Sequence, residues 1–534
     1  MLFADRFFRR GRIITLDPDR PEAQSLAVRE GKVVAVGMDE DLSGLAGPST
    51  EIVDLEGRTV VPGFHDAHCH VLLFGLSLIE VNVRAATCIN DIVTAVASRA
   101  AQYPHGEWIR GGGYNENKLA ERRHPTRHDL DPASPDHPVW LIHVSGHMGV
   151  ANSRALGLAG ITRHTPDPPG GVIDRGAGGE PTGVLKETAQ ELVKRVLPPY
   201  SLERTKEALA AAGRQMASEG LTSVQDAWAG WIAPQEFRAY QEATREGLLL
   251  QRVRLMVDVE SLAVRDGRFD FAFGLHSGFG DERLRLGAVK IFIDGSLIGR
   301  TAALSDPYAD TDGNCGLLVK SQERIAEQVR MAHAGGWQVA MHAIGDRAIE
   351  VGLDAIERAM GPGAGRWRPR IEHCGVLRAD LIERIRRLGV VVVTQPRFIY
   401  ELGDGFRSAL GEDRLRLTYP LASLRGIPVA LSSDRPVVDG APLRGMCAAI
   451  CRRTVSGAAC VPEEAITLRE ALQWYTLGGA YAAFEEAHLG SLEPGKLADF
   501  VVLSHDPFAA EPDALGEIGV MATFIGGVQV FGHL

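Results

Sequence analysis

Long apolar runs are missing from this chain. None of its 534 residues falls in an uninterrupted apolar stretch of about 18 residues, which excludes a membrane-spanning helix. Cysteine is scarce: there are seven, an odd number without regular spacing, so a disulfide framework is not expected and a reducing compartment, the cytoplasm, is. Basic charge is not in excess. Lys and Arg number 57 against 68 Asp and Glu, the net charge is −11, and no long basic run occurs, which argues against a nucleic-acid surface. The segment Met1 to Arg12 scatters its charges and has no apolar centre, so it does not read as a signal peptide. What is present is 45% hydrophobic and 23% charged residues, the balance of a soluble globular protein longer than one ordinary domain. The composition fits a small-molecule enzyme with no membrane or nucleic-acid partner, and nothing in it excludes a homo-oligomer.

The first 60 residues alternate short apolar runs with turns, as in Gly11 to Leu16, Ser25 to Val28 and Lys32 to Val36. The C-terminus has the same texture: Asp499 to Leu503, Val520 to Ile525, and Val528 to Phe531 after the turn pair Gly526-Gly527. Neither end holds enough strands to be stable alone, so the two are expected to form one discontinuous β-domain, 1–60 with 485–534. Between them, short apolar runs alternate with helical patterns, the mark of βα repeats and a parallel sheet. Eight candidate strands are found: Val60–His70, Thr222–Gln225, Val253–Val257, Ala288–Ile293, Gln338–His342, Arg370–His373, Val390–Thr394 and Val429–Asp434. The fold class expected is therefore α/β, a (β/α)8 TIM barrel over 61–484 with chemistry at its C-terminal strand ends. Roughly 150 residues separate the first two strands, too many for one crossover, so about 75–215 reads as an insertion leaning over the barrel mouth. The last helix before the terminal β segment is expected to open on a capping box, Thr467-x-x-Glu470.

Chemistry concentrates on the strands. In Val60-Val61-Pro62-Gly63-Phe64-His65-Asp66-Ala67-His68-Cys69-His70, strand alternation puts His68 and His70 on one side and Cys69 on the other. Imidazole is a common ligand for zinc and its neighbours. Lys290, His342, His373 and Asp434 lie on four further strands. Each has an ordinary explanation: a buried hydrogen-bonded histidine, a solvated lysine, an aspartate stabilising a turn before Arg435-Pro436. Taken together, the ordinary explanations need a separate coincidence on each of five strands, whereas one barrel mouth accounts for all of them.

These residues resemble the ligand order of the amidohydrolase superfamily, and the resemblance spans nearly the whole chain. Gly490-Ser491-Leu492-Glu493-Pro494-Gly495-Lys496-Leu497-Ala498-Asp499 is similar to that family's return into its β-sandwich. Ser145-Gly146-His147 with Ala151-Asn152-Ser153, Lys290 to Ser296, and His342 to Ala348 resemble the branch containing N-substituted formamide deformylases, of amidohydrolase 3 type. The resemblance implies two divalent ions, zinc the first expectation, held by His68, His70, His342, His373, Asp434 and a carbamylated Lys290 that bridges them. A free lysine with a pKa of about 10.4 would repel a cation, whereas its carbamate is an anionic oxygen donor. Lys186, within the insertion, is a weaker rival for that role. The expected reaction is attack of metal-bound hydroxide on an amide or N-formyl carbon, with Asp434 as the base that passes a proton to the leaving amine. His143, His147, Arg300 and Tyr308 are candidates for substrate contact. Arg435 is another, standing where relatives often carry a bulky aromatic; it either meets a substrate carboxylate or salt-bridges a helix outside the pocket.

Three alternatives are compatible with the sequence. One is a mononuclear site with an unmodified lysine. Another is deamination of a cyclic amidine, against which Lys290 on the fourth strand argues. The third is a barrel that has lost catalysis and serves as a scaffold, against which the complete ligand set argues. Nitrogen and oxygen donors also serve iron, manganese and cobalt, so the sequence does not single out zinc.

Overall fold

The computed structural model describes residues 3–534 except 145, 147, 266 and 271–273. Two compact units result, one of Met1–Val71 with Ala212–Leu534 and one of Leu72–Ala211.

The larger unit is organised by eight parallel strands: Phe64–Cys69, Leu221–Ala229, Arg252–Asp258, Leu284–Phe292, Val339–Ala343, Arg370–His373, Val391–Thr394 and Val429–Leu431. Neighbours in sequence are neighbours in the sheet. The eighth strand returns beside the first, where Asp434 N donates to His68 O at 2.8 Å and Ser433 N to Asp66 Oδ1 at 3.0 Å. The sheet thus curls into the expected TIM barrel. Its strands read as near-continuous apolar runs because both faces are covered, as parallel sheets require. Small side chains such as Ala67, Ala227, Ala288, Ala340 and Ala430 leave room for Val391, Val393 and Met256 in the packed interior.

The first expected strand proves to be two. Thr59–Pro62 belongs to a different sheet, and the barrel strand begins at Phe64. Gly63 is the break: a Cβ there would lie 2.2 Å from Thr222 Oγ1, so only glycine lets the chain pass the second strand this closely. Thr59–Pro62 pairs antiparallel with Phe500–Leu503 and parallel with Arg12–Ile14. That six-stranded sheet draws on both ends of the chain, and a four-stranded sheet of Arg6–Arg9, Ser25–Arg29, Lys32–Gly37 and Glu51–Asp54 packs on it. Phe8, Phe500 and Phe524 fill the shared core with ring centroids 4.5–5.2 Å apart. Gly526 and Gly527 both take positive φ, the backbone that a tight hairpin turn between Val520–Ile525 and Val528–Gly532 needs.

The smaller unit is a six-stranded mixed sheet that includes Val139–His143 and Pro181–Glu187. Helix Leu468–Gln473 opens on the Thr467/Glu470 capping box, then widens into a π-helical turn, Trp474–Gly478, that residue periodicity did not foretell. Among the described residues, no helix is long and apolar enough to cross a membrane.

A buried ion pair fastens the terminal sheet to the barrel floor. Arg252, at the start of the third barrel strand, meets Asp499 through two bonds of 2.7 and 3.0 Å, and Asp499 also accepts from Gly526 N at 2.7 Å. Replacing Asp499 with Ala leaves Arg252 buried beside the more distant Glu282, 3.9 Å away. The expected cost is about 3 kcal/mol, seen as a lowered denaturation midpoint; an unchanged midpoint would contradict the role given to this pair.

Candidate metal centre

Strand ends bring the histidines together. His68 closes the first strand, and the chain stays extended to His70, whose N–H donates to Arg435 O at 2.9 Å. His68 Nε2 and His70 Nε2 then lie 3.4 and 3.0 Å from the same oxygen, Asp434 Oδ1. The ring of His373 is 4.9 Å from His68 and 4.5 Å from His342, centroid to centroid. His373 (φ 77°) and Asp434 (φ 58°) both take left-handed backbone. Residues with a Cβ rarely adopt that conformation except where the surroundings impose it, often at functional sites.

Three of the four imidazoles are oriented by an acceptor behind them, while Nδ1 of His70 is buried with no hydrogen-bond partner among the described residues. His68 donates from Nδ1 to Glu372 at 2.5 Å, His373 from Nδ1 to Gln395 Oε1 at 2.8 Å, and His342 from Nε2 to the carbonyl of Gly295 at 3.0 Å. These bonds fix the tautomers, leaving lone pairs on Nε2 of His68, Nε2 of His373 and Nδ1 of His342. Burial pushes His342 down to about 3 and His373 far below its ordinary value, so both rings are neutral at pH 7 and able to ligate. Glu372 is itself clamped by the buried Arg370, at 2.8 and 3.0 Å. Burial alone would raise Glu372, but Arg370 and His68 outweigh it and keep the carboxylate ionised.

Lys290 is 0% exposed, and its Nζ has no hydrogen-bond partner among the described residues. The ammonium lies 5.0 Å from the ring centroid of Phe292, and burial pushes its pKa down to about 8, opposed by Glu372 and Asp434 nearby. A fraction of the neutral amine is therefore present near pH 7. Phe292 continues into an aromatic wall: its ring lies 4.6 Å from Trp228, which stacks on the half-exposed Trp231 at 3.9 Å.

The remaining candidates with described side chains have partners within the protein. Arg435 is buried in an ion pair with Glu219, so its charge is balanced inside the protein instead of standing at an open mouth. Arg300 binds Asp310 and the carbonyls of Leu297 and Ile298, and Tyr308 is buried with its hydroxyl on Ala302 O at 2.8 Å; both shape their own loop. His143 belongs to the smaller unit, where Nε2 lies 2.7 Å from Glu116. Lys186 is in that unit too, with Nζ 4.0 Å from Asp174. His147 lies outside the described residues. Glu372, Arg370 and Gln395 escaped the sequence reading, although Arg370 and Glu372 at i and i+2 share one face of a buried strand, an arrangement that charged residues seldom take without a purpose.

The donor set fits a divalent cation. Two imidazole nitrogens aimed at one buried carboxylate oxygen, two more neutral rings alongside and a partnerless buried lysine form an unsatisfied cluster by themselves.

The model of the amidohydrolase family matches residues 51–531. The chain is 35% identical over 530 residues to YtcJ of Bacillus subtilis, spanning 98% of each chain. It is 31% identical over 524 residues to the N-substituted formamide deformylase of Arthrobacter pascens, spanning 96% of each. The crystal structure of an uncharacterized metal-dependent hydrolase from Pyrococcus horikoshii superposes with a TM-score of 0.79 at 29% identity, covering 95% of this chain and 99% of that one. The chain belongs to the amidohydrolase family.

Glu372→Gln keeps the shape behind His68 but removes the charge. Metal retention on dialysis should weaken by about 10–100-fold with the fold intact; parent-like metal content would show that Glu372 does not support the ligand.

Proposed function

We propose that this protein is a metal-dependent hydrolase of non-peptide carbon–nitrogen bonds, acting on an amide or N-formyl compound. The observation that carries the reading is the convergence of His68, His70, His342, His373 and Asp434 with a buried, partnerless Lys290. Full-length similarity to a formamide deformylase supports the reaction class. In this reading, residues 61–484, with an insertion at about 75–215, form the catalytic barrel, and 1–60 with 485–534 form its β-sandwich.

His68, His70, His342, His373 and Asp434 would hold two divalent ions, zinc by preference, with a carbamylated Lys290 as a further ligand. When bound, the ions supply Lewis acidity and lower the pKa of water from about 15.7 towards 7. The chain's own residues do the rest. Neutral Lys290 would add carbon dioxide through the Nζ lone pair and release one proton to solvent, giving an anionic oxygen donor in place of a cation. Asp434 accepts the proton of the attacking water and returns it to the departing amine. Trp228, Trp231 and Phe292 offer an apolar wall for the nitrogen substituent. Metal-loaded protein tested on N-formyl, N-acyl and cyclic amides should hydrolyse members of the first two classes. Turnover of cyclic amidines alone would replace the reading with deamination, and no turnover together with no bound metal would favour a scaffold.

Asp434→Asn is nearly isosteric, so kcat should fall by about 10²–10⁴-fold while the thermal midpoint is kept. Retained kcat would mean that another group moves the proton.

Lys290→Ala should lose metal as well as rate, and acetate or propionate with excess zinc should partly restore both by filling the vacated space with two oxygens. Lys290→Met fills that space and should show no rescue. Unchanged metal stoichiometry in Lys290→Ala would count against the carbamate ligand.

A further inference from the structure

A second cluster of ligand atoms lies apart from the barrel set. Cys447 and Cys451 stand one turn apart on helix Pro442–Cys451, so their side chains share a face. Their Sγ atoms are 3.9 Å apart, and the carboxylate of Asp513 completes a group of three whose ligand atoms all lie within 4.8 Å of one another. Asp513 comes from a separate element, the short 3₁₀ helix Pro512–Glu517. That helix runs close against the first, since a Cβ on Gly516 would lie 3.3 Å from Arg444 Cγ. The last turn of helix Pro442–Cys451 carries no basic side chain. It is the end where the helix dipole favours positive charge. The guanidinium of the following Arg452 is spent on the carbonyls of Cys460, Val461, Tyr419 and Thr418.

We propose that Cys447, Cys451 and Asp513 form a binding site for a thiophilic d¹⁰ cation, Zn²⁺ or its congener Cd²⁺, that joins helix Pro442–Cys451 to Pro512–Glu517. The two soft thiolates select such an ion over Mg²⁺ or Ca²⁺, the carboxylate adds a third, harder anionic donor that zinc also accepts, and water completes the four ligands. Each thiol releases its proton to solvent as it ligates. Cys447 and Cys451 are half-buried and Asp513 is exposed, so the group is open to solvent on the side of the carboxylate. None of the three residues is among the proposed barrel ligands, so the site does not depend on the catalytic reading.

Titration of the full-length protein, first freed of metal with a chelator, with Cd²⁺ under reducing conditions tests it. Only cysteine ligation gives a thiolate-to-cadmium charge-transfer band, and the barrel ligands contain no thiol, so ultraviolet absorption separates the two sites. The expected result is a saturable band with the intensity of one cadmium held by two thiolates, abolished in C447S and in C451S. In D513N the band should need at least the 10–100-fold more ion that loss of a supporting group costs. Bound Cd²⁺ should also shield Cys447 and Cys451 from iodoacetamide while Cys88 and Cys315, similarly placed between surface and interior, still react. Absence of the band, its persistence in the C447S/C451S double variant, or alkylation unaffected by Cd²⁺ would each overturn the proposal. A mass loss of two hydrogens on mild oxidation without any band would overturn it in favour of a redox pair.

Discussion

Everything at the barrel mouth depends on one buried chain of charges, Arg370 to Glu372 to His68. A carboxylate stripped of water is tolerable only when a cation and a hydrogen-bond donor replace the solvent, and Arg370 and His68 supply both. In return Glu372 dictates which nitrogen of His68 carries the proton and which faces Asp434. The same device recurs with weaker acceptors behind His373 and His342, where Gln395 and a backbone carbonyl serve. The geometry of the proposed ligands is thus set one layer behind them, on strands whose own positions are fixed by barrel closure.

Closure itself brings Asp434 to the first strand. The backbone bond from Asp434 to His68 O joins the last strand to the first beyond the end of the ladder, and Asp66 takes the neighbouring Ser433 through both backbone and hydroxyl. A barrel one strand short would leave the histidine pair without its carboxylate. Fold and site are in this sense a single constraint.

How much of this was legible beforehand follows the range of the interactions. The eight barrel strands are periodic or local signals, and the structure contains a strand at each; Lys290, His342 and His373 lie on them, while His70 and Asp434 lie just beyond the strand ends. The break at Gly63 was local too, but its cause is Thr222, a contact across the sheet that residue pattern does not encode. Arg435 is the sharper case. Its partner Glu219 lies 216 residues away, so composition and spacing leave both a substrate carboxylate and an internal salt bridge open, and the partner is named only by the fold. Glu372 lies inside a strand that residue pattern does indicate, and its one local signal is charge on a buried face, shared with Arg370. The π-helical turn at Trp474–Gly478 has no periodic signature, because one extra residue per turn disturbs the pattern only briefly.

The sheet shared by the two chain ends also sets a timetable for synthesis. Thr59–Pro62 pairs with Phe500–Leu503, about 440 residues later. At about 5–20 residues per second, the early strands wait roughly 20–90 s on the ribosome with that edge unpaired and Phe8 without its aromatic neighbours. Waiting edges of this kind are templates for wrong partners. The nascent chain therefore carries an exposure that the finished molecule conceals, and its yield in a cell is governed by how well that interval is protected as much as by the stability of the folded state.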